Sequence, residues 1–87
     1  MPENVYEEIG FSKQEAVNLK IRARLMMLLE DVIKEEGLTQ KDAAKLFSVS
    51  QPRVSDLTRG KIDRFTIDAL VNMLAATGRT IRLETAA

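Results

Sequence analysis

The sequence contains no cysteine and no histidine. These absences exclude disulfides, zinc fingers and any Ser-His or Cys-His catalytic arrangement, and a chain of this kind suits the reducing cytoplasm, where it is expected to reside. Aromatic residues make up 5% of the chain, with only four glycines and two prolines, while hydrophobic residues reach 45%. That balance favours an all-helical globule over a sandwich or barrel. The longest run of large apolar residues is LMMLL at 25–29, too short for a membrane span. The opening MPENVYEEIG has neither a basic n-region nor an apolar h-region, so no signal peptide is expected. An excess of one charge sign is also missing: 13 bases balance 13 acids in 87 residues. A chain of this length makes one small domain with a marginal core, which a second copy or a partner would help to stabilise.

Counted by segment, the charge is uneven. Residues 1–37 carry eight acids against five bases, whereas residues 38–65 carry Asp42, Asp56 and Asp63 against Lys41, Lys45, Arg53, Arg59, Lys61 and Arg64. A locally basic middle can attract phosphates while the molecule stays neutral, although an ordinary solvated face would carry the same charges.

Start and stop signals divide the chain. Ser12 followed by Glu15 is a capping box, which opens a helix expected to run about 36 Å to Glu36, where Gly37 ends it. Thr39 is the next N-cap, ahead of QKDAAKLF with Ala43, Ala44 and Phe47 at helical spacing. After a short connection, Ser50 caps a third helix with Pro52 in its first turn, and Gly60 closes it. Thr66 caps a fourth helix, striped by Ile67, Leu70, Val71 and Leu74, before Gly78. The closing RTIRLET alternates polar with apolar at Ile81 and Leu83, a short strand pattern. The fold class expected is mainly α, a compact bundle of four to five helices with a short C-terminal strand. Its parts are an arm and long helix over 1–37, a core over 38–78, and the strand over 79–87.

Two short helices joined by a three- or four-residue turn have the geometry of a helix-turn-helix. In QPRVSDLTRG, Val54 and Leu57 are the only large apolar residues available for the inner side. The outer side then carries Gln51, Pro52, Arg53, Ser55, Asp56 and Arg59. Glutamine can pair with adenine, arginine with guanine, and proline can lie against a thymine methyl. Asp56 could accept from a cytosine amino group or orient a neighbouring arginine.

The string LTQKDAAKLFSVSQPRVSDLTRGKIDRFTIDALVNMLAATG, from Leu38 to Gly78, resembles the XRE (Cro/C1-type) helix-turn-helix family of DNA-binding domains. The resemblance implies that Thr39 and Gln40 lie at the phosphate-contacting start of the second helix. It also implies that Gln51, Pro52, Ser55 and Asp56 face bases, that Arg53 lies between backbone and base, and that Lys61 and Arg64 grip phosphates or reach toward the minor groove. With Ser50 and Arg59 at the two ends of the third helix, these residues complete the expected DNA-binding set. The family often has glycine at the turn where this chain has Ser48, and serine tolerates a left-handed turn less well. The flanks, NVYEEIGFSKQEAVNLKIRARLMMLLEDVIKEEG and TGRTIRLET, resemble the HigA-type antitoxin subgroup. That subgroup implies repression of the protein's own operon and a cognate toxin as partner.

Two other readings accompany this one. A helix-turn-helix fold that binds only protein would be expected to carry more apolar anchors on its outer face; a solitary phage-like repressor without a toxin would share the motif. An enzyme would have to rest on paired acids such as Glu7-Glu8 or Glu35-Glu36, which have no nucleophile or metal-ligand cluster near them in sequence. No catalytic role, cofactor or metal is therefore expected. Duplex DNA and a second copy are the expected partners. The dimer contact is expected either at the terminal strand, whose edge needs pairing, or on the long helix, where Met26 and Met27 are surplus to one small core.

Overall fold

The computed structural model describes residues 10–86. Its elements are α1 (Lys13–Glu36), α2 (Gln40–Phe47), α3 (Gln51–Thr58), a 3-10 turn (Ile62–Arg64) and α4 (Ile67–Ala76). The arm residues 1–9, with the Glu7-Glu8 pair, and Ala87 lie outside the described residues.

Each helix begins at a residue whose side chain accepts from an otherwise unpaired backbone amide. Ser12 accepts from the amide of Glu15 at 3.1 Å while the Glu15 carboxylate accepts from the Ser12 amide at 3.2 Å, completing a reciprocal box. Thr39, Ser50 and Thr66 accept from Asp42, Arg53 and Ala69 at 3.1, 3.3 and 3.1 Å. Gly37 ends α1 at φ 60°, in the left-handed region. Ser48 adopts the same conformation after α2, at φ 59°, and is the only non-glycine residue to do so among those described. A side chain at that angle crowds the following carbonyl, so this turn is built at some cost in strain.

The core lies where α1 packs along α4 and α2 packs on α3. Leu29 of α1, Phe47 of α2, Val54 and Leu57 of α3, and Leu70 of α4 meet there, all but inaccessible. Ala43 and Ala44, also buried, give α2 the small surface that close approach to α3 requires. Phe65, directly after the 3-10 turn, inserts into the same core. None of the helices described is long and apolar enough to cross a membrane.

Two expectations are corrected. Residues 79–86 form no strand, and no strand exists among the described residues. A strand needs a ladder, and no second extended segment among the described residues supplies one. Ile81 instead packs against the core while Leu83 is 90% exposed, so the two do not share a buried side. Arg79, at the start of this tail, pairs with Glu36 at 3.3 Å. The methionine pair also divides: Met26 is buried at 6% exposure and belongs to the core, whereas Met27 is 53% exposed.

Candidate nucleic-acid interface

The connection between α2 and α3 is three residues, Ser48 to Ser50, and it sets α3 across α2 with Val54 and Leu57 pointing inward. A helix anchored by two residues one turn apart presents the rest of its circumference outward. Gln51, Pro52 and Arg53 are exposed at its N-terminal end, with Ser55 and Asp56 half-buried beside them and Arg59 exposed at its C-terminal cap.

Three of the sequence-selected residues are interlocked. The guanidinium of Arg53 donates to the Arg64 carbonyl at 2.8 Å and lies 5.2 Å from the centre of the Phe65 ring. That distance is within the range at which a cation is attracted to an aromatic face. Arg64 in turn donates to the Asp56 carboxylate at 3.2 Å, so Asp56 is engaged by an arginine side chain. Lys61, half-buried, leads into the 3-10 turn that carries Arg64. The basic turn is thereby fastened to the flank of α3. Thr39 and Gln40 are exposed at the start of α2, and among the described residues neither bonds to α3 or to the turn.

Sequence reasoning missed Arg22. Its guanidinium donates to the carbonyls of Ile62 at 3.2 Å and Phe65 at 3.4 Å, and to the Asn18 side chain at 2.6 Å. Carbonyls of the same short turn are therefore held by an arginine from α1 and another from α3. A signal was available: position 22 lies one turn from Leu19, Leu25 and Met26, on the face of α1 that turns toward the core. A base in an apolar stripe marks a carbonyl to be satisfied.

A family model described as a helix-turn-helix domain matches residues 5–85. The chain belongs to this helix-turn-helix family. A solved structure described, provisionally, as an XRE-family transcriptional regulator superposes with a TM-score of 0.77 at 27% identity, covering 84% of this chain and 82% of the other. No curated protein matches the chain. The likeness to the XRE-type structure is not confined to α2 and α3, since it covers most of both chains.

Proposed function

We propose that the protein is a sequence-specific DNA-binding transcriptional regulator that acts as a dimer, with α3 entering the major groove. Family membership and the XRE-type neighbour support a DNA-binding regulator. The observation that carries the finer reading is the outward face of α3: a polar N-terminal end anchored from beneath by Val54 and Leu57, with a basic turn fastened alongside.

In this reading Gln51, Pro52 and Ser55 meet base edges, because the N-terminal end of a recognition helix lies deepest in the groove. Lys61, Arg64 and Arg59 meet phosphates, joined by the exposed start of α2 at Thr39 and Gln40, while Ser50 caps α3 beside the same backbone. Arg53 holds the turn in place, since its donors already serve the Arg64 carbonyl. Asp56 orients Arg64, the second of the two roles open to it. Dimerisation follows from size, because one short helix buries too little for specific affinity, whereas symmetric half-sites double the contact. The antitoxin role, with repression of its own operon and a toxin partner in the cytoplasm, rests on the likeness of the flanks alone; a toxin-like reading frame beside the gene supports it.

The test is selection of bound duplexes from a random pool, followed by fluorescence anisotropy on the recovered sequence at several salt concentrations. A recovered site with two related halves about 34 Å apart is expected. Affinity should fall steeply with salt as phosphate contacts release counterions. Equal binding to every duplex, or none, overturns the reading.

A further inference from the structure

Asp56 is the only acid on α3, and its position is unfavourable on two counts. It lies in the last turn of the helix, where backbone carbonyls already concentrate negative charge. It also stands beside Ser55 on the side that the reading of α3 turns toward phosphates, which repel a carboxylate. Its partner is Arg64, which donates through Nη1 at 3.2 Å; the Asp56 side chain is 18% exposed and that of Arg64 53%. An ion pair so open to water adds little to stability, so its main effect is on where the Arg64 charge sits. The backbone of Arg64 is fixed as well, because its carbonyl accepts from Arg53 at 2.8 Å. Arg64 is thus tethered twice, at its main chain by an arginine and at its guanidinium by a carboxylate.

We propose that Asp56 is a specificity-determining residue of the DNA-binding face, which withholds Arg64 from random duplex and places it for the preferred one. This rests on the reading of α3 as the recognition helix. Random duplex is held through its phosphates, and an untethered arginine can reach one in any register. Closed on Asp56, Arg64 offers such a duplex a neutral pair instead. On the preferred sequence, base contacts seat α3 in a single register, so Arg64 is needed at one place only. The carboxylate holds it there in advance, with side-chain freedom already lost, while the guanidinium donors beyond Nη1 remain for a phosphate. Asp56 therefore discriminates by lowering the weaker affinity rather than by raising the stronger.

Fluorescence anisotropy of the full chain tests it, on the selected operator and on random duplex over a range of salt. The intact protein is compared with Asp56→Ala, Arg64→Gln and the double variant. Asp56→Ala should raise affinity for random duplex about fivefold near 0.15 M salt and steepen its salt slope by about one, as the released arginine displaces one more counterion. Operator affinity should stay level or fall, so the ratio between the two narrows. In the Arg64→Gln background the steepening should vanish, because no arginine is left to release. Circular dichroism checks the fold; should Asp56→Ala lose helix, the isosteric Asp56→Asn reads the same release. The proposal is overturned by an unchanged slope on random duplex, by an equal change of affinity on both duplexes, or by a steepening that persists without Arg64. If the intact chain binds no duplex, the reading of α3 falls and takes this proposal with it, whereas binding with an unchanged slope refutes this proposal alone.

Discussion

On α3 the outward side chains are Gln51, Pro52 and Arg53; on α1 they include Val17, Ile21 and Met27. The first set offers hydrogen-bond donors and acceptors and no large exposed hydrophobic. The second offers aliphatic surface interspersed with charges of both signs. Nucleic acid presents polar base edges and a charged backbone, whereas a second protein rewards removal of apolar surface from water. One small core thus supports two faces whose chemistry suits different classes of partner.

The comparison can be broken most severely from beneath α3. Leu57→Ala removes a fully buried anchor and should destabilise the fold by about 2–5 kcal/mol, read as a lowered urea midpoint. Because Leu57 supports the core that both faces share, operator affinity and self-association should fall together.

Arg22→Ala is expected to cost about 1.5–3 kcal/mol of stability, because it leaves the Ile62 and Phe65 carbonyls without their charged donor. It should weaken DNA binding more than dimerisation, since the turn it holds carries Lys61 and Arg64. Equal loss of both would show that the turn belongs to neither face in particular.

Gln51→Ala sharpens the contrast. It should cost about 1–3 kcal/mol on the preferred operator and little on random duplex, leaving sedimentation unchanged. Lys61→Ala should instead weaken both kinds of duplex alike and reduce the salt slope by about one. Equal losses on specific and random DNA for Gln51→Ala would remove it from the base readers.

The smallest effect is a gain. Ser48→Gly relieves a side chain at φ 59° and should raise stability by about 0.5–1 kcal/mol, the strain relieved being partly offset by glycine's greater freedom when unfolded. A thermal melt reads it, and both faces should keep their affinities.

Local chemistry made much of this fold legible. Ser12, Thr39, Ser50 and Thr66 mark helix starts because capping bonds span only three residues, and Gly37 marks an end because its backbone angle is local. The apolar spacing of Ala43, Phe47, Val54, Leu57, Leu70 and Leu74 identifies the core for the same reason. What escaped depends on partners distant in the chain. The 3-10 turn and the burial of Phe65 are secured by Arg22, about 40 residues away, a bond that no short pattern announces. Arg53 is a basic residue on an outer face in sequence; only the fold shows its donors turned back onto the turn. The alternation at Ile81 and Leu83 promised a strand, but alternation supplies one half of a ladder and the described residues hold no other half. The N-terminal ends of α2 and α3 were legible as candidate phosphate and base contacts, while the interlock of Arg53, Asp56 and Arg64 was not.

The turn gripped by two arginines also divides the kinds of sequence change it can absorb. Its fastening points are main-chain oxygens at Ile62, Arg64 and Phe65, which every amino acid possesses. Exchanging the exposed Asp63 for another residue leaves all three oxygens in place. Inserting or deleting a single residue between Gly60 and Phe65 moves them out of register with Arg22 and Arg53 at once. Exposed positions such as Asp63 should therefore vary freely in spelling while the stretch hardly varies in length, which a library of single-residue insertions and of Asp63 substitutions, sorted for folded protein, would reveal directly.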